Sequence, residues 1–370
     1  MRHLLSILTL AATACAQSPT SLAPVAQVSD SGATYFPAAT WRITDPAAVG
    51  LDAGKINSMK SKVSNGQYGS MHGVLIVRYG WMVTEHYTGW SAETPHTMQS
   101  VSKSVTSLLY GMATASISSD PFLLNRKVLS VFARYPSVEN TDARKQALTM
   151  RDLLTMRTSM DYWEQPYAGS PHETLNNSRG DWTKYILDRP MIGTPGTTWA
   201  YNSGAAILVG SAIKELTGEQ ANVWARSRFF EPIGAVGQYW YYSPFDSLPH
   251  TGGGLYLRPQ DLARVGYLVL RHGKWGATQI VPRNWLDSST VSVTRGSPVY
   301  FSSDNAGYGR FWWIFPLTRH GSDEGVIAGS GSGGQWLFVV PSLDLVVAIV
   351  AENGNGLDLL YNEILPAVQR

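Results

Sequence analysis

Strand-like segments at opposite ends of the chain, with helical patterns between them, limit its fold more than any other feature. Residues 73–87 read as a hairpin: Val74-Leu75-Ile76-Val77, a turn at Tyr79-Gly80-Trp81, then Met82 to Tyr87. β-Branched runs around a glycine turn suit a pleated pair. Residues 335–340 and 345–351 repeat the pattern around the turn residues Pro341-Ser342-Leu343-Asp344. Helical periodicity dominates the middle, over residues 149–156, 203–216, 220–230 and 259–271. The expected class is α+β, an α/β sandwich. Its antiparallel sheet comes from the N- and C-terminal segments and is flanked by helices, with an all-helical subdomain inserted at roughly 115–250. The folded domain is expected over 41–370.

Arg2 and His3 precede an apolar run from Leu4 to Ala12 and then small residues, which reads as an export signal over residues 1–16. Ala12-Thr13-Ala14 and Ala14-Cys15-Ala16 both offer cleavage sites, and Cys15 is the only cysteine. Two outcomes stay open: a lipid on Cys15, or cleavage ahead of Gln17 with the cysteine discarded. Ala12 stands where a lipoprotein signal prefers Leu. Either way the mature fold has no disulfide, and the expected location is periplasmic or secreted. Lipidated Cys15 is the sole expected membrane attachment. Residues 17–40, rich in Ser, Ala, Pro and Gly, read as a linker. A net charge of +2 supplies no basic field, so no nucleic-acid partner is expected.

Ser100-Val101-Ser102-Lys103 carries the chemistry. Positions three apart share a helix face, so the Ser100 hydroxyl and the Lys103 amine come within reach of each other. A serine needs a neighbouring base to attack a carbonyl, and a buried lysine can lose its proton to become one. Val101, Val105, Leu108, Leu109 and Met112 form an apolar stripe after a break at Pro95. Ser100 therefore starts a helix, where free N–H groups favour a developing oxyanion. Ser211-Ala212-Ile213-Lys214 has the same spacing but lies deep inside a helical segment, and reads as a decoy.

Trp199-Ala200-Tyr201-Asn202-Ser203-Gly204 opens a helix after the turn Gly193-Thr194-Pro195-Gly196. A tyrosine at such a junction can relay a proton, although simple ring packing is the commoner use. The glycine-rich run from Gly329 to Gly334 leads into a strand, where glycines permit close approach to a ligand. His250-Thr251-Gly252 is its rival for that role, but a helix signal at Pro259-Gln260-Asp261 follows it. The loop Tyr162-Trp163-Glu164-Gln165-Pro166-Tyr167 is a candidate cleft wall through Tyr162, Trp163 and Tyr167, with core packing the competing reading. No G-x-S-x-G occurs, and His172-Glu173 lacks the second histidine of a zinc helix, so neither metal nor cofactor is expected.

In this order, S-x-x-K, then Tyr-Asn-Ser, then a Gly-Ser-Gly strand, the chain resembles the β-lactamase-related serine hydrolases. These include class C β-lactamases, D-alanyl-D-alanine peptidases, family VIII esterases and 6-aminohexanoate (nylon) oligomer hydrolases. The resemblance implies a β-lactamase/transpeptidase-like fold with a cleft between its two parts. It implies that Ser100 is acylated, Lys103 accepts its proton, and Tyr201 protonates the leaving group and later activates water. The backbone N–H groups of Ser100 and Ser332 would form the oxyanion hole, with Ser203, Ser330 and Gly331 as substrate contacts. Penicillin-recognising members have Tyr-x-Asn and a third box that begins with Lys or His, whereas this chain has Ser203 and Gly329. The expected activity is hydrolysis of a small-molecule ester or linear amide. The alternatives are β-lactamase or D-Ala-D-Ala carboxypeptidase activity, or a non-catalytic binding relative.

Overall fold

The computed structural model describes residues 35–369, apart from 116, 118, 119, 296–299, 302 and 303. The export segment, Cys15 and residues 17–34 of the expected linker lie outside the described residues. Strands β1 (Gly69–Arg78) and β2 (Trp81–Tyr87) form the N-terminal hairpin. Tyr79 and Gly80 turn it at φ 51° and 76°. The other strands of the main sheet are β3 (Thr294–Arg295), β4 (Gly307–Tyr308), β5 (Trp313–Pro316), β6 (Glu324–Gly331), β7 (Gln335–Val340) and β8 (Leu345–Gly354).

Their order is β2-β1-β8-β7-β6-β5-β4-β3, antiparallel throughout, so the two chain ends share one α+β sheet. Leu75 stands opposite Ala348 and Val77 opposite Val346. Residues 345–351 of β8 are buried without alternation, because both faces of the sheet are covered. On one face lies helix α4, Pro259–Leu270 in the numbering that also has α1 (Ala53–Ser64), α2 (Val101–Thr114) and α3 (Ser203–Thr217). A Cβ at Gly266 would sit 2.5 Å from Val346 Cγ1 and 2.7 Å from Leu337 Cδ1, so glycine allows α4 this close approach. The C-terminal segment covers the other face, where Gly356 packs against Trp336 and Ile349. Each fully buried Val, Leu or Ile contributes about 1.5–3 kcal/mol.

Among the described residues, none from 88 to 293 belongs to this sheet. Helices are the main regular structure of that span and gather around α3, buried without interruption from Ser203 to Ile213. The Asn202 side chain accepts the Ala205 N–H at 2.9 Å, and Gly218 ends the helix at φ 80°. The expected helix at 149–156 is shorter, Met150–Leu154 with a Thr149/Asp152 capping box, whereas the one at 220–230 is helical from Ala221 to Phe230, as an α-helix over Ala221–Ala225 and a wider π-helix over Arg226–Phe230. The inserted part is not wholly helical. Tyr239–Trp240 pairs with Leu255–Leu257, which pairs with His96–Thr97 just before α2. Strands of two or three residues are too short to show a period.

The folded body also begins before Trp41. Tyr267 donates its hydroxyl to the Tyr35 carbonyl at 2.7 Å, and Arg264 donates to the carbonyls of Pro37 and Ala39 at 3.2 and 2.9 Å. A fully buried guanidinium needs acceptors, and this strap supplies them.

Candidate active site

The site begins where the short strand His96–Thr97 runs into α2. Met98 N–H donates to the Leu255 carbonyl at 2.8 Å, Gln99 takes a left-handed φ of 46°, and Ser100 follows at φ −68° as the first half-helical residue. Backbone held at positive φ without glycine is costly and clusters at functional sites. The Ser100 side chain makes no cap bond, so its oxygen is free for chemistry. One turn on, Lys103 is 1% exposed. Its Nζ lies 2.9 Å from Ser100 Oγ and donates to the Gly252 carbonyl at 2.6 Å. Burial pushes its pKa down to about 8, against an opposing pull from the Glu164 carboxylate. Anchored by Gly252, the neutral amine can turn its lone pair to the serine.

Tyr201 closes this triangle. The Lys103 amine is 4.7 Å from the centre of its ring, and its hydroxyl shares a hydrogen bond with Ser100. Trp313 lies nearly parallel to the ring at 6.3 Å, and Tyr300 tilts against it at 5.4 Å. Burial, followed by the charge of Glu164, holds the phenol well above its ordinary pKa, with the Ser100 hydrogen bond opposing. Tyr201 is thus a neutral proton donor at rest.

A cleft of about 670 Å³ opens over these groups, lined by Ser100, Tyr201, Ser330, Gly331 and Ser332 among others. β6 reaches α2 because it carries glycine. A Cβ at Gly329 would sit 3.0 Å from Ser104 Oγ, and one at Gly331 would sit 2.5 Å from the Met98 carbonyl oxygen. The arrangement joins a serine, a buried amine, a neutral phenol and a strand edge. It is suited to acyl transfer.

The sequence profile of the beta-lactamase family matches residues 65–360. The chain belongs to the beta-lactamase family. The 6-aminohexanoate-dimer hydrolase of Paenarthrobacter ureafaciens is 23% identical over 288 residues, 74% of this chain and 70% of that one. Among solved structures, EstCE1, described as a hydrolase with promiscuous acyltransferase activity, superposes with a TM-score of 0.68 at 16% identity, over 86% of this chain and 99% of that one. A D-stereospecific amidohydrolase from Streptomyces sp. gives 0.65 at 16% identity, over 83% and 98%. At these identities the structural likeness is one of fold. The family is one of hydrolases, with an amidohydrolase and penicillin-binding protein homologues among the structures that share its fold.

In this beta-lactamase-family chain, both rival glycine segments serve the site. Ser330 to Ser332 forms a cleft wall, with Gly329 packed against α2, whereas the His250-Thr251-Gly252 stretch grips Lys103 through the Gly252 backbone. Ser211 is buried and bonded to Thr183 at 2.8 Å, while Lys214 reaches toward Asp246 at 3.9 Å. Four expected substrate contacts lie elsewhere. Ser203 is buried behind the cleft beside Gly252. Tyr162 turns inward onto Gly204 and bonds His172 at 3.0 Å, because its ring completes the packing around α3. Trp163 and Tyr167 are 41% and 45% exposed and stand outside the lining.

From the same loop Glu164 and Gln165 face the cleft instead, and Glu164 accepts the Ser203 N–H. The far end of the cleft holds Arg319, engaged by Asp304 at 3.1 Å and by Asp358. Among the described residues, no group of three or more His, Cys, Asp or Glu is placed to hold a metal ion.

Proposed function

We propose that this chain is an exported serine hydrolase that cleaves a carboxylic ester or linear amide through an acyl-enzyme on Ser100. The observation that carries the reading is the buried Lys103 amine, 2.9 Å from Ser100 Oγ and fixed by the Gly252 carbonyl. In the first step Ser100 Oγ bonds to the substrate carbonyl carbon and its proton passes to Lys103. The oxyanion is held by the N–H groups of Ser100 and Ser332. Tyr201 protonates the departing alcohol or amine, and the ester on Ser100 remains. Water then gives a proton to the Tyr201 phenolate and attacks that ester; the bond from the acyl carbon to Ser100 Oγ breaks, Lys103 returns its proton to the serine, and the acid is freed. No cofactor takes part.

The substrate is neutral or weakly charged at the cleft. Gly329 offers no cation, Arg319 is already engaged by two aspartates, and Glu164 places a carboxylate in the wall. Losing a charge-assisted contact costs an anionic substrate about 1.5–3 kcal/mol, which disfavours β-lactams and D-Ala-D-Ala peptides. The relatives' names, a 6-aminohexanoate-dimer hydrolase and an amidohydrolase, support amide or ester cleavage. Export to the periplasm or beyond, with or without a lipid on Cys15, rests on the N-terminal residues.

Intact-mass analysis tests the reading. The purified mature protein is incubated with p-nitrophenyl esters, a linear amide dimer and a penicillin. An acyl adduct on Ser100 from an ester or the amide, with slower trapping by penicillin, is expected. Adducts elsewhere, or penicillin acylation as fast as ester turnover, would overturn it. The mass before incubation reports processing at Cys15.

A further inference from the structure

The Glu164 carboxylate has two fixed relations. It accepts the N–H of Ser203, two residues beyond Tyr201, and it borders the cleft together with Ser100 and Tyr201. Its loop is pinned just before Glu164, by the bridge between Met160 and Met191 and by the inward-turned Tyr162. The carboxylate is therefore held at the start of α3, close to the reacting groups.

Besides burial, a single neighbouring charge acts on Lys103. His172 and His250 stand behind it, both held neutral by burial. Tyr162, Tyr201, Tyr300 and Tyr308 are phenols that burial keeps protonated. Glu164 is the one carboxylate whose charge reaches Lys103 among the described residues. The same charge also reaches Tyr201.

We propose that Glu164 is a positioning residue that sets the charge state of the Ser100, Lys103 and Tyr201 relay: held by the Ser203 N–H, its carboxylate is the counter-charge for the lysine that has taken the serine proton. It touches neither the nucleophile nor the carbonyl under attack. Its work is done when Lys103 becomes an ammonium in a buried site, because an opposite charge nearby offsets the cost of burial. Without it Lys103 would be a weaker base, neutral to lower pH. The proposal rests on Ser100 being the acylated nucleophile.

The test is the rate of covalent labelling by a fluorophosphonate, read by intact mass and peptide mapping across pH 5–10, for wild type, Glu164→Gln and Glu164→Asp. The amide of Glu164→Gln still accepts the Ser203 N–H but carries no charge. Its rising limb should move to lower pH by roughly half a unit or more. The weaker base should make its plateau slower than wild type, while its larger neutral fraction makes labelling faster on the acid side, so the curves cross. Glu164→Asp restores the charge and should return the limb toward wild type. A Glu164→Gln limb at the wild-type midpoint, with only its height reduced, reduces Glu164 to a brace for its loop and overturns the proposal. If wild type takes no label at Ser100, the serine-hydrolase reading itself falls, and this inference with it.

Discussion

Lys103 Nζ donates to the carbonyl oxygen of Gly252 at 2.6 Å, across 149 residues of sequence, and this bond aims the amine at Ser100. Gly252 has no room for a side chain. A Cβ there would lie 2.9 Å from the Ser203 carbonyl oxygen and 3.2 Å from Ser203 Cβ.

Gly252→Ala should therefore displace the carbonyl by a few tenths of an ångström and misdirect the amine. Small misplacements of a catalytic group cost on the order of tenfold or more in rate. The expected result is a kcat reduced by about that factor, with KM little changed and the fold intact by circular dichroism. An unchanged kcat would mean that the Gly252 contact does not orient the base.

The two S-x-x-K sequences make a paired test. Ser100→Ala and Lys103→Ala should each abolish measurable ester turnover. Ser211→Ala should leave it within about twofold, and lose about 1–3 kcal/mol of stability because the buried Thr183 hydroxyl loses its partner. Steady-state kinetics and urea denaturation on the three variants separate these effects. Inactivity of Ser211→Ala in a folded protein would contradict the assignment of Ser100.

Ser100, Lys103 and Tyr201 were legible because their signals are local: a three-residue spacing, an upstream break and a loop-to-helix junction. The Gly329 to Ser332 edge was legible for a related reason, since glycines at the end of a β-rich run mark close approach. Glu164 was hidden because its partner is the backbone N–H of Ser203, 39 residues away, and because the aromatic rings beside it attract attention first. The Gly252 grip leaves no side-chain signature at all. The strap at Tyr35 to Ala39 was read as linker, because only the buried Arg264, more than two hundred residues later, reveals what it serves.

Lys103 also ties function to stability. Its folded pKa of about 8 lies below the unfolded value of 10.5. Below pH 8 it is charged in both states, and holding that charge in a buried site costs about 3 kcal/mol. Between pH 8 and 10.5 the folded protein has released the proton while the unfolded chain keeps it, so stability rises with pH. Lys103→Met removes this contribution. Relative to wild type, the variant should be most favoured near pH 6, and the Tm difference should drift against it as pH approaches 10.5. The lost bond to Gly252 adds an offset without pH dependence. A Tm difference constant from pH 6 to 10 would show that the buried amine carries no such penalty.

His250 acts in the opposite pH range. It is 5% exposed, with its ring edge-on to Trp182 at 5.4 Å. Burial, then the neighbouring His172 and Lys103, pushes its pKa from 6.5 down to about 3. Above pH 6.5 the ring is neutral in both states. As pH falls from 6.5 toward 3 the unfolded chain binds a proton that the folded protein refuses, so stability is lost, up to the order of 4 kcal/mol. His172 and His96, also lowered by burial, add to the loss in the same direction. His250→Phe keeps an aromatic ring against Trp182 and removes one titrating group. Urea midpoints at pH 7, 5.5 and 4 should fall less steeply for the variant than for wild type, with the gap widening toward pH 4. Parallel losses in the two proteins would mean that acid unfolding is driven elsewhere, and that His250 does not remain neutral at low pH.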